Sequence, residues 1–120
     1  MSFLDAVKKG INKKQIFNYR DRASRSEFWY LYLFYILISI FSSIVYPVGS
    51  GSGILFFSFI IVTFILSLAM ISVMCRRLHD VGKSGWWQLI GYTIIGIPII
   101  LYWLCKNGDL SSNKFGNPVN

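Results

Sequence analysis

Three uncharged apolar runs divide the chain, Phe28 to Val48, Ile54 to Met74 and Trp86 to Leu104, and the polar residues collect between and around them. Each run is long enough to cross about 30 Å of hydrocarbon at 1.5 Å per helical residue. A spanning segment must satisfy its backbone hydrogen bonds internally, and three segments cannot close a β-barrel, so the pattern predicts helices. The expected fold class is an all-α membrane protein with three transmembrane helices. The middle run is the plainest case. Gly91, Gly96 and Pro98 mark the third as a segment that is either kinked or folded back as a re-entrant hairpin. A single crossing is the expected form, because a re-entrant turn needs its backbone buried in protein or facing water, which so small a bundle supplies only by oligomerising. Cys75 and Cys105 would then lie on opposite sides of the membrane.

Ahead of the first run, Ser2 and Asp5 have the spacing of a capping box, and Phe3, Leu4, Val7 and Ile11 fall on roughly one helical face. This predicts a short N-terminal interfacial helix with Lys8 and Lys9 turned to lipid headgroups. Pro47 to Gly53 reads as a short flexible turn, and no repeat or linker appears, so residues 1–120 are expected to form one integral membrane domain. No small-residue cleavage site follows the first run, which is expected to act as its own uncleaved signal.

Composition agrees with the pattern: 54% of residues are apolar and 14% charged, with a mean hydropathy of +0.52, against about 25% charged in an ordinary soluble domain. Twelve Lys and Arg against five Asp and Glu give a formal charge of +7. Their placement carries the meaning. Residues 1–27 hold seven of the basic residues and the loop 75–85 three more, while 46–53 has none and the tail only Lys106 and Lys114. By the positive-inside rule the N-terminus and the 75–85 loop are cytoplasmic, and three crossings would put the tail outside. Trp29, Tyr30, Trp86 and Trp87 would mark the cytoplasmic interface, and Tyr46, Tyr102 and Trp103 the other. Topology accounts for the basic balance without nucleic acid.

Two charged clusters flank the runs, Arg20 to Trp29 and Arg76 to Trp87. In a compact bundle they face one another, so Glu27 is expected to pair with Arg76 or Arg77, and Asp80 with Arg22 or Arg25. Juxtamembrane arginines also attract acidic lipids. Arg22, Arg25, Glu27, Trp29, Arg76, Arg77, His79, Asp80, Lys83, Trp86 and Trp87 are therefore the candidate face for an anionic phospholipid or for a membrane or cytoplasmic protein partner. His79 beside Asp80 is a poor catalytic pair, because helical neighbours do not face each other and no nucleophile or oxyanion donor is placed by spacing. Two separated cysteines and one histidine suggest no metal site or cofactor. The spans contain no Asp, Glu, Lys, Arg or His, which disfavours an ion-coupled transporter. Ser58, Thr63, Ser67 and Ser72 read chiefly as helix-packing positions. The expected function is that of a non-enzymatic integral membrane protein. The alternative is a small homo-oligomeric channel or carrier.

Arg22-Ala-Ser-Arg-Ser-Glu-Phe-Trp29, Arg76-Arg-Leu-His-Asp80 and Ser84-Gly-Trp-Trp87, with Gly96, Gly108 and Asn113-Lys-Phe-Gly116, resemble in order and spacing the bacterial family of small inner-membrane proteins called domain-of-unknown-function 805. Asp21 stands where that family usually has Gly, and Ser24 where a second Arg is common. The resemblance covers nearly the whole chain. It implies a multi-pass protein of the bacterial plasma membrane and supplies no catalytic residue.

Overall fold

The computed structural model describes residues 1–47 and 53–119. Most of the expected turn from Pro47 to Gly53 falls outside the described residues. The fold is all-helical: α1 (Phe3–Gly10), α2 (Lys13–Ile16), α3 (Arg25–Val45), α4 (Ile54–Asp80), a 3-10 helix (Gly85–Tyr92) and α5 (Gly96–Cys105). Among the described residues the one β-type pairing is the bridge between Asn113 and Gly116.

α3 and α4 form an antiparallel hairpin. Tyr46 and Phe41 pack at a tilt against Phe59 at one end, and Glu27 meets Arg76 at the other. α3 opens on Ser24, whose hydroxyl accepts from the Glu27 N–H as an N-cap. Its 21 residues cover about 31 Å, whereas the 27 of α4 cover about 40 Å. α4 thus exceeds a hydrocarbon core of about 30 Å by some seven residues. It runs six residues past the expected end at Met74, to Asp80, and then stops on a Schellman motif. Lys83 N–H bonds to Leu78 C=O and Gly82 N–H to His79 C=O, with Gly82 at φ +74, where an L side chain would be strained.

The expected single crossing by Trp86 to Leu104 is not formed. The segment is an eight-residue 3-10 helix and a ten-residue α-helix, about 16 and 15 Å long, each roughly half a hydrocarbon core. They fold back on one another: Trp87 meets Trp103 edge-on at 5.6 Å, and a Cβ on Gly91 would lie 3.8 Å from Ile100. Both ends of the segment return to the C-terminal end of α4. Gly85 abuts Cys75, and Leu104 C=O accepts from Arg77 Nε at 3.2 Å. The break has a local cause. Thr93 Oγ1 donates to Ile90 C=O at 2.7 Å and accepts from Gly96 N–H at 3.0 Å. Gly96 passes so close to Ile90 that a Cβ would lie 1.8 Å from its carbonyl oxygen. Pro98 falls in the first turn of α5, where its missing N–H costs nothing.

α1 packs along α3, with Phe3 edge-on to Tyr30 and Phe34. Its expected cap is present: Asp5 N–H donates to Ser2 Oγ, and that hydroxyl donates to the Asp5 carboxylate, holding it below its ordinary pKa. α2 and the turn after it lie against α4 through Ser72, whose buried Oγ is 2.7 Å from Gln15 C=O and 2.8 Å from Asn18 C=O.

Candidate functional site

The N-terminal segment, the end of α4 and the C-terminal tail converge on a buried ionic lattice. Arg76 and Arg77 are adjacent on α4, about 100° apart around the helix, and so serve two different neighbours. Arg76 Nη1 donates to Glu27 Oε1 at 2.5 Å, and Lys9 Nζ donates to Glu27 Oε2 at 2.7 Å. One carboxylate thereby ties α4, α3 and α1. Arg77 lies on the face it shares with Asp80 and pairs with that carboxylate. It also donates to the carbonyls of Leu104 and Lys106, which satisfies acceptors orphaned at the end of α5.

Arg22 completes the lattice from the N-terminal side. Its Nε donates to Asp80 Oδ1 at 2.9 Å, Nη1 to Ser111 and Gly116 carbonyls, and Nη2 to Asp109 C=O. Asp109 N–H in turn bonds to Asp80 C=O at 2.7 Å. Gly108 fits because it has no side chain: a Cβ there would lie 1.9 Å from Asp80 Oδ2. Arg22, Glu27, Arg76, Arg77 and Asp80 are all buried, and Arg76 Nε is without a partner among the described residues.

His79 lies against the same tail, stacked on Phe115 with ring centroids 3.8 Å apart. Its Nδ1 is 3.3 Å from Arg20 C=O and 3.2 Å from Asp21 C=O. Carbonyls only accept, so Nδ1 carries the proton, and Nε2 faces the Cys75 thiol at 3.7 Å. Among the described residues no three of His, Cys, Asp and Glu come together as a metal site requires.

The expected pairings of Glu27 with Arg76 and of Asp80 with Arg22 are both present. The tail is expected across the membrane from the N-terminal cluster, but it packs beside that cluster. It docks on Arg22, Arg77 and His79, at the end of the molecule that holds the N-terminal cluster. Trp103 is displaced with it: Lys83 Nζ lies over its ring at 5.1 Å, far from Tyr46. Lys9, expected toward headgroups, reaches Glu27 instead. Of the eleven candidate face residues, six are buried: Arg22, Glu27, Arg76, Arg77, His79 and Asp80. Their guanidinium donors are largely spent on carboxylates and carbonyls, so they hold the fold rather than present a surface. Trp29 and Lys83 are half-buried, and Arg25, Trp86 and Trp87 are exposed. The roles of Lys9, Gly108 and the tail carbonyls had no signal in charge or spacing, although Gly108 and Asn113 to Gly116 belong to the motifs of the family resemblance.

The tail's position gathers all twelve Lys and Arg at one end. Seven of them, Lys8, Lys13, Lys14, Arg20, Arg25, Lys106 and Lys114, are exposed and pair with no carboxylate among the described residues.

A family model described as protein of unknown function (DUF805) matches residues 16–117. Inner membrane protein YhaH of Escherichia coli K12 is 32% identical over 109 residues, covering 86% of this chain and 88% of its own. Inner membrane protein YhaI of the same strain is 28% identical over 106 residues, 87% of each chain. No solved structure is a significant match.

Proposed function

The chain belongs to the DUF805 family, and from that membership, with relatives that are inner membrane proteins, we propose a non-enzymatic protein of the bacterial plasma membrane whose free basic rim engages anionic phospholipid. α3 and α4 cross the bilayer, the segment from Gly85 to Cys105 enters and leaves on the cytoplasmic side, and both termini are cytoplasmic. The observation that carries the reading is the one-ended charge. Twelve basic residues lie at the end where α3 begins and α4 finishes, against none in the loop 46–53, which is the distribution the positive-inside rule requires of two crossings. The lattice spends four of the twelve in ion pairs. The seven exposed ones have anionic headgroups as their natural counter-charge, each contributing about 1 kcal/mol near such a surface. Trp86, 79% exposed, suits the interface beside them.

The rival reading, a homo-oligomeric channel or carrier, would use the hydroxyls of α4. Ser58, Thr63 and Ser67 each donate to a carbonyl of their own helix, as helix-packing hydroxyls do, and no ionisable group lies between Ile54 and Cys75.

Two measurements test the proposal. In bilayers mixing phosphatidylglycerol and phosphatidylcholine, tryptophan emission should be quenched more by brominated phosphatidylglycerol than by brominated phosphatidylcholine. Added salt should shrink the difference. Equal quenching by the two lipids would overturn the lipid reading. For topology, Cys105, which is exposed, should resist a membrane-impermeant thiol reagent in intact cells and react after permeabilisation. Labelling in intact cells would restore a third crossing.

A further inference from the structure

The exposed cations differ in what lies beneath them. Lys8, Lys13 and Lys14 stand on short surface helices, but Arg25 stands at the mouth of an apolar cleft. Arg25, Ser26, Trp29, Tyr30 and Cys105 line an open hollow of about 460 Å³ where the start of α3 meets the end of α5. Trp29 also lines a second hollow of about 200 Å³ between α3, α4 and the hairpin, walled by Tyr32, Met74, Ile100, Leu101 and Leu104 among others. The second hollow is mostly apolar. The two together make a cationic mouth over an apolar floor.

We infer that this cleft is a discrete site for one anionic phospholipid, with its phosphate at Arg25 and Ser26 and an acyl chain laid along Trp29 between α3 and α5. The inference rests on the proposed lipid-binding function and gives it a place. Charge complementarity selects the occupant. Arg25 is the one arginine of its cluster, apart from the outlying Arg20, that the buried lattice does not consume. Its recorded hydrogen bond is a long contact of 3.4 Å from Nη1 to Cys105 C=O, and it meets no carboxylate among the described residues. Its remaining guanidinium donors suit the oxygens of a phosphate. The floor explains why a lipid and not a soluble phosphate would be held. Burying methylenes against Trp29, Leu101 and Leu104 fills space that a re-entrant hairpin cannot close by itself, and a hairpin of this kind needs such cover at membrane depth.

Native mass spectrometry of the full-length protein, released from vesicles of equal phosphatidylglycerol and phosphatidylcholine, tests this. The wild type should retain one phosphatidylglycerol in preference to phosphatidylcholine. Arg25→Gln should lower that retention about fivefold, the effect of one basic residue at an anionic surface, while Arg25→Lys stays near wild type. Leu101→Trp, which fills the floor, should remove retained lipid of either headgroup. The double variant Lys13→Gln with Lys14→Gln should retain the lipid as the wild type does. If that double variant loses as much as Arg25→Gln, the rim binds lipid diffusely: the proposed function stands and the discrete site is overturned. If the wild type retains both lipids alike, both are overturned. Melting temperatures of Arg25→Gln and wild type should agree, because Arg25 is outside the lattice; a large drop would assign Arg25 to the fold and sink the site.

Discussion

From Ile54 to Ile71, α4 has only Leu66 and Ala69 buried, while Phe57, Ile61 and Phe64 face outward. From Ser72 to Asp80 every residue except Met74 is buried, and that stretch contains two arginines, a histidine and an aspartate. One continuous helix thus meets two solvents. In the first half lipid tails are as apolar as the side chains, so packing there gains no hydrophobic driving force. In the second half the cap is built from charge pairs and carbonyls whose geometry admits few alternatives. The apolar half places the protein in the membrane, and the polar half decides which segments come together.

The largest effect is therefore expected at Asp80. Asp80→Ala leaves Arg22 and Arg77 buried without their carboxylate, a loss of about 3–5 kcal/mol for a broken buried pair. Thermal unfolding in mild detergent should show it as a collapse of the folded population. Gly108→Ala should act in the same direction, since its methyl group would occupy the Asp80 carboxylate. A wild-type melting temperature for both variants would break the comparison outright.

Glu27 should come next. Glu27→Ala removes the partner of buried Arg76 and of Lys9, which is more than a third exposed and can turn to water. The cost should approach about 3 kcal/mol. Asp109→Ala removes one side-chain hydrogen bond, from Asn113, about 1 kcal/mol. Equal melting temperatures for the two variants would mean that the lattice is not what holds α1, α3 and α4 together.

These pairs were legible in the sequence because acids are scarce: five in the chain, three of them, Asp21, Glu27 and Asp80, in the arginine clusters. The two helices long and apolar enough to cross a membrane were legible as uncharged runs. The third run was legible only as a segment with a weak middle, through Gly91, Gly96 and Pro98. The break itself is local, at Thr93 and Gly96, but what docks its far end is distant. Arg77 donates to the carbonyls of Leu104 and Lys106, Arg22 holds the tail, and residues so far apart in the chain leave no trace in periodicity. The same distance explains why six residues expected on a binding face are buried, for charge at a membrane edge looks alike whether it meets a headgroup or another side chain.

Thr93 lies at the tip of the hairpin formed by the 3-10 helix and α5, where backbone is neither helical nor in the cap. Thr93→Val keeps the shape but deletes the hydroxyl that serves Ile90 C=O and Gly96 N–H. In the proposed topology the tip lies at bilayer depth, where no water replaces the hydroxyl, so the loss should be about 1–3 kcal/mol, and Thr93→Ser should restore most of it. A neutral Thr93→Val in lipid nanodiscs would place the tip in water, and the hairpin would then lie along the surface instead of entering the membrane.

The smallest effect is expected at Leu55, and it is the sharpest form of the comparison because the same substitution can be made at both ends of α4. Leu78 is 0% exposed and Leu55 64%. Leu78→Ala opens a cavity among packed neighbours and should cost about 2–5 kcal/mol. Leu55→Ala trades contacts with lipid for contacts with lipid, and should change stability by less than about 0.5 kcal/mol. Both can be read from melting in nanodiscs, with protein concentration varied. If Leu55→Ala is costly and its cost grows as the protein is concentrated, the outer face of α4 is covered by a second copy. The apolar half would then share in specifying the assembly, and the division between the two halves would hold for the monomer alone.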